Sequence, residues 1–150
     1  MKNRRHFLQS LGMASLAATS LGTLSGCVTG TVGGSASLSE LSVAEVQRRM
    51  AGGSLTADRL TEHFLRRIHR LDRSGPRLNS VIEPNPDAIA MARALDDERR
   101  TKGPRGPLHG VPVLIKDNID TGDRMQTTAG SLALAGSIAP RDAFIVGRLR

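Results

Sequence analysis

The apolar run Gly110-Val111-Pro112-Val113-Leu114-Ile115 ends on Lys116, with Asp117 and Asn118 directly behind it. A short apolar run opened by a Gly and a Pro has the length of a buried strand. Lysine is almost never fully buried without a partner, and removing an ammonium from water lowers its pKa. Lys116 is therefore either a surface residue at a strand tip or a base held partly neutral for chemistry. The stretch around it, Gly106 to Ser131, reads GPLHGVPVLIKDNIDTGDRMQTTAGS and is the part of the chain that the rest must position.

What precedes it divides in three. Residues 1–27 have the order of a bacterial export signal: Arg4-Arg5 ahead of Phe7-Leu8, then a modestly apolar stretch to Leu24. The arginine pair resembles a twin-arginine address, with Asn3 and Gln9 departing from the usual residues. Leu8 to Leu24 is short and diluted by Ser, Thr and Gly, a poor transmembrane helix. Leu24-Ser25-Gly26-Cys27 resembles a lipobox, which implies acylation of Cys27 and a membrane anchor; cleavage near Ser35-Ala36-Ser37 would instead release a secreted protein. Export machinery, and a periplasmic or cell-envelope location, are the corresponding expectations. Residues 28–40 read as a flexible linker, and residues 41–150 as the folded part.

With Lys2, Arg4 and Arg5 set aside, 21 − 3 = 18 basic residues face 14 acidic ones. The folded part is thus only mildly basic, with few aromatics, and nucleic acid is not an expected partner. The single cysteine excludes an internal disulfide framework. Neither a cofactor nor a metal is expected. His63 and His69 take no role, since two isolated imidazoles do not make a metal site.

Local patterns predict the elements. Ser42 and Glu45 form a capping box for a helix marked by Val43, Val46 and Met50 and ended by Gly52-Gly53. Thr56 caps a second helix reaching about Arg73, with Leu60, Phe64, Leu65, Ile68 and Leu71 on one stripe and Arg59, Glu62, Arg66, Arg67 and Arg70 in water. Leu78 to Glu83 is a strand candidate. Asn85-Pro86 starts a third helix as cap and first residue, its inner face carrying Ala88, Met91, Ala92 and Leu95 and its Asp96 to Arg100 run solvated. Phe144 to Leu149 reads as the start of another helix. Helices alternating with short strands favour an α/β layer architecture.

The block GPLHGVPVLIKDNIDTGDRMQTTAGSLAL resembles the N-terminal catalytic block of the amidase signature family, and the likeness extends from about Leu41 to Arg150. It implies the family's fold, a mixed β-sheet covered by helices, incomplete in these residues. It also implies a serine hydrolase that splits a carboxamide into a carboxylate and ammonia or an amine. The family's triad is a nucleophilic serine, a serine in a cis peptide, and a lysine, the position that Lys116 matches. A serine hydroxyl needs a base, and lysine at its ordinary pKa of about 10.4 is protonated at neutral pH. A dry strand end lowers that value, and a bridging serine can relay the proton.

The resemblance gives the neighbours lesser parts. Asp117 and Asn118 fit the pattern after the lysine and could hold Lys116, although an ionised carboxylate beside it opposes a lowered pKa unless Asp117 turns away. Thr128, Gly130 and Ser131 match a segment near the family's site; Ser131 reads as a turn or cap former, not as the nucleophile. Gly110 and Gly130 mark tight backbone geometry. His109 is expected in loop packing.

The Gly- and Ser-rich segment that carries the family's two serines does not occur in these residues. The expectation is the first part of a longer, exported amidase acting on a small carboxamide, with these 150 residues inactive alone. Two alternatives stand beside it: a surface-tethered binding module without catalysis, and a protein like the amidase-type component of the tRNA-dependent amidotransferases, disfavoured by the export signal.

Overall fold

The computed structural model of the chain describes residues 37–150. The residues expected to form an export signal, Cys27 among them, and most of those expected to form a linker lie outside the described residues. The elements in order are a 3-10 turn (Leu38–Glu40), α1 (Val43–Ala51), α2 (Ala57–Arg67) running on into a π-helix (Ile68–Ser74), α3 (Ala88–Lys102), a 3-10 turn (Leu132–Leu134) and α4 (Phe144–Leu149).

The cap residues set the first two helices. Ser42 accepts the Glu45 amide at 3.2 Å, which is one half of the capping box. The other half is absent, because the Glu45 carboxylate turns to Arg49 at 2.6 Å. Gly52 and Gly53 end α1 by donating to the carbonyls of Arg48 and Met50, Gly53 at φ +71°. Thr56 caps α2 through the Arg59 amide at 3.2 Å. The predicted end near Arg73 is reached, with the last turns widened: the Gly75 amide bonds the Arg70 carbonyl five residues back.

Asp96 corrects the reading of α3. Placed in the solvated run by its neighbours, it instead crosses to the N-terminus of α2 and accepts the amides of Ala57 at 2.7 Å and Asp58 at 3.0 Å. Those are two of the four N–H groups a helix start leaves unpaired, and the carboxylate also faces the positive end of the helix dipole. Arg99, from the same run, donates to Gln47 at 2.7 Å and to the His109 carbonyl at 2.9 Å, tying α3 to α1 and to the Gly110 loop. The start of α3 also shifts. Asn85 accepts the Asp87 amide at 2.8 Å in a turn that holds Pro86, so Asp87 becomes the cap and the helix begins at Ala88.

The core is built from Val46 and Met50 of α1, Leu55, Ala57 and Leu60 at the start of α2, and Ala92 of α3, with Leu38, Leu41, Phe64 and Val111 packed against it. Ala92 stands at the expected small-residue contact, whereas Met91 lies at the surface.

The two strand expectations fail among the described residues, where no strand forms. A strand needs a partner for its backbone groups. Around Leu78–Glu83 that role is taken by side chains: the buried Asp72 carboxylate accepts the Ser80 amide at 2.7 Å and the Val81 amide at 3.2 Å, and Arg73 donates to the carbonyls of Val81 and Ile82 at 2.6 Å each. Ser80 hydroxyl and amide hold the Asp72 carboxyl below the usual carboxylate range against its burial, with Val81 and Arg73 adding to them. The segment 111–116 is irregular, with backbone hydrogen bonds only to the turns at its two ends, and Leu114 is 74% exposed.

Candidate active site

His109 and Gly110 lead the chain into the lysine segment. His109 is buried, its Nε2 2.9 Å from the Leu95 carbonyl and its Nδ1 accepting the Arg105 amide at 3.3 Å, a pairing that needs the proton on Nε2. Both imidazole nitrogens are thereby committed to the loop. Gly110 has φ +76°, and a Cβ built on it would stand 2.9 Å from the Ala57 Cβ and 3.7 Å from the Met50 sulfur. Only glycine fits where the backbone passes this close to the α1–α2 core.

From there the chain runs to Lys116, which is exposed among the described residues. The drying expected from Val111–Ile115 is therefore not supplied by residues 37–150: Val113 and Leu114 face outward with nothing packed over them. The Lys116 carbonyl accepts the Ile119 amide at 3.0 Å, closing a turn over Asp117 and the exposed Asn118.

Asp117 links this turn to the second half of the block. One carboxylate oxygen accepts the Thr128 hydroxyl and the Gly130 amide at 3.2 Å, while its backbone carbonyl accepts the Ala129 amide at 2.9 Å. The Thr128 hydroxyl holds the Asp117 carboxyl below the usual range; burial opposes this, and the amides of Gly130 and Thr128 assist it. The carboxylate next to Lys116 in the chain is thus turned to the 128–130 loop, whose hydrogen bonds favour its ionised form.

That loop has its own constraint. The Ser131 amide bonds the Thr128 carbonyl at 2.9 Å, and the two central residues, Ala129 at φ +51° and Gly130 at φ +73°, are both left-handed. This is the φ pair of a type I′ turn. Glycine adopts it freely, whereas a single non-glycine residue there is uncommon, and such outliers gather at functional sites. Ala129 was not singled out from the sequence, because alanine carries no signal of positive φ. Ser131 then caps the 3-10 turn at Leu132–Leu134, its hydroxyl accepting the Ala133 amide at 3.3 Å.

The fold thus brings Asp117, Thr128, Gly130 and Ser131 into one hydrogen-bonded unit next to Lys116 in the chain. Two clefts, of about 320 and 680 Å³, lie elsewhere, along α2 and the π-helix, and no residue of the Gly106–Ser131 block lines them. Among the described residues no three potential metal ligands converge.

Comparison with known proteins places this unit in context. The amidase family model matches residues 59–150. A putative amidase of Schizosaccharomyces pombe is 43% identical over 113 residues, which cover 75% of this chain and 19% of that protein. A glutamyl-tRNA(Gln) amidotransferase component of Thioalkalivibrio sulfidiphilus is 43% identical over 112 residues, 74% of this chain and 22% of that one. The crystal structure of native peptide amidase from Stenotrophomonas maltophilia superposes with a TM-score of 0.71 at 54% identity, again over 74% of this chain and 22% of that one. The chain spans about a fifth of the length of the curated relatives it matches.

Proposed function

Because this chain belongs to the amidase family, we propose that it is the N-terminal part of an exported, lipid-anchored amidase in which Lys116 is the base. The observation that carries the reading is the family match over a segment that includes Lys116 together with the Asp117–Thr128–Gly130 unit. In this enzyme Lys116, through a bridging serine, accepts the proton of a nucleophilic serine as its oxygen attacks the carboxamide carbon. The tetrahedral intermediate collapses, the C–N bond breaks, and the relayed proton leaves with the amine. Water then attacks the acyl ester and releases the carboxylate. Both serines, the oxyanion donors and the sheet that dries Lys116 are assigned to the remaining length of the family's domain.

Asp117 makes no ion pair with Lys116 among the described residues. A carboxylate free to pair with Lys116 would stabilise the ammonium form, but this one accepts hydrogen bonds from Thr128 and Gly130. Its work is to hold the 128–131 loop beside the lysine. Asn118, Thr128, Gly130 and Ser131 are proposed to shape that side of the site and not to react.

The similarity to a peptide amidase makes peptide amides the first substrates to assay. The amidotransferase-like alternative is favoured by the 43% identity to a glutamyl-tRNA(Gln) amidotransferase component and opposed by the proposed export signal, which would take the protein away from charged tRNA. Export and anchoring rest on Arg4-Arg5 and Leu24 to Cys27. Cys27→Ala should shift the protein from the membrane to the soluble fraction; unchanged fractionation contradicts the anchor. For the activity, the coding sequence beyond Arg150 should contain a Gly/Ser-rich segment with two serines, and the full-length protein should release ammonia from a peptide amide. Lack of the segment, or no turnover across a panel of carboxamides, overturns the reading.

A further inference from the structure

The net positive charge of the described residues falls in one stretch of the sequence. Outside Arg59–Arg77, residues 37–150 hold 12 basic and 12 acidic residues; within it stand six arginines against Glu62 and Asp72, a net of 6 − 2 = +4. The two acids are already counted in that net. Asp72 is buried and accepts hydrogen bonds from Ser80 and Val81, and Glu62 pairs with Arg66 at 2.8 Å through side chains that are both more than half exposed. Exposed pairs of this kind contribute little and are readily exchanged for another anion.

The face has a shape as well as a charge. His63, Arg66, Arg67, His69, Arg70 and Ser74 line the cleft of about 680 Å³, which runs along the end of α2 and the π-helix. The linker joins the body at this face: the Ser39 hydroxyl stands 3.0 Å from His63 Nε2 and accepts from Arg67 at 3.4 Å. Ser39 is 12 residues after Cys27, a reach of at most about 40 Å for extended chain.

We propose that the arginine face of α2 and the π-helix docks on anionic phospholipid headgroups, with Arg66, Arg67 and Arg70 at the contact. The choice of a membrane over other polyanions rests on the proposed acylation of Cys27, which would tether this face to a bilayer. The basic face then adds to the lipid anchor as a further membrane signal. Each arginine near an anionic surface contributes enough that removing three weakens partitioning by about a hundredfold, and salt screens the attraction.

The test separates the face from the anchor. Full-length Cys27→Ala protein, which cannot be acylated there, is sedimented with vesicles of phosphatidylcholine alone or with phosphatidylglycerol added. It should bind the anionic vesicles, bind the neutral ones far less, and be released by molar salt. Arg66→Gln, Arg67→Gln and Arg70→Gln together should reduce the anionic partition by about a hundredfold with helicity by circular dichroism unchanged. Arg73 is left in place because it holds the Val81 and Ile82 carbonyls. Equal binding to both vesicle types, salt-insensitive binding, or tighter binding to duplex DNA than to vesicles at equal phosphate overturns the proposal. If the triple variant loses helicity, the salt and lipid dependence of the parent alone decides. Mass spectrometry of the unsubstituted protein reports acylation separately, so a failed anchor and a failed face give different results.

Discussion

Replacing Gly110 by alanine tests how the segment bearing Lys116 is seated. At φ +76° a Cβ introduces the left-handed penalty, about 1–2 kcal/mol. The same Cβ would stand 2.9 Å from the Ala57 Cβ, where carbon atoms prefer about 3.5–4.0 Å. Met50 lies 3.7 Å away, and Ala57 is 1% exposed at the first position of α2, so neither side can yield without disturbing the core. Overpacking of this kind costs about 1–3 kcal/mol, for a total of about 2–5 kcal/mol. That is a large share of the roughly 5–15 kcal/mol that holds a typical domain together. The assay is urea unfolding of the full-length protein, comparing midpoints at unchanged slope. A double-mutant cycle with Ala57→Gly isolates the contact: with the opposing methyl removed, the pair should couple favourably by about 1 kcal/mol or more, even though glycine weakens the helix start. A Gly110→Ala loss below about 0.5 kcal/mol, or strict additivity in the cycle, refutes the close-approach argument.

Asp96→Ala should destabilise by about 1–2 kcal/mol, since it unpairs the Ala57 and Asp58 amides and removes a negative charge from the start of α2; thermal unfolding checks this, and no change in midpoint counts against the cap. Asp117 has a folded pKa below its ordinary 3.8, so its hydrogen bonds stabilise the fold above that value and lose their contribution as pH falls through the folded pKa. Carboxyl carbon NMR should therefore find the Asp117 midpoint below 3.8 in the parent and moved upward in Thr128→Val, which removes the hydroxyl; an unmoved midpoint contradicts the lock.

The helices were legible because their signals are local. Ser42, Thr56 and Gly52-Gly53 each act within one turn, and the Leu60–Phe64 stripe states its period openly. Asp96 was misread for the opposite reason: its partners, Ala57 and Asp58, lie 39 and 38 residues away, and a charged neighbourhood looks the same from the sequence whether or not one carboxylate turns inward. Arg99, which reaches Gln47 across 52 residues, escaped in the same way. The strand expectations at Leu78–Glu83 and Gly110–Ile115 came from composition, but a strand is a property of a pair, and Asp72 and Arg73 take the backbone groups of the first. At the site, Lys116 stood out from the apolar run and from the family resemblance. The contacts of Asp117 carry no such signal, because the Thr128 hydroxyl and Gly130 amide on its carboxylate lie 11 and 13 residues away.

The most direct test of the account is turnover by Lys116→Ala in the full-length protein, measured as ammonia released from a peptide amide. Urea unfolding of the variant is measured alongside, so that turnover is compared only in a protein that unfolds at the parent's midpoint. Hydrolysis should fall on the order of 10⁴-fold or more, as expected when one member of a catalytic triad is lost. Turnover within about tenfold of the parent, in a protein that unfolds at the same midpoint, would contradict the assignment of Lys116 as the base.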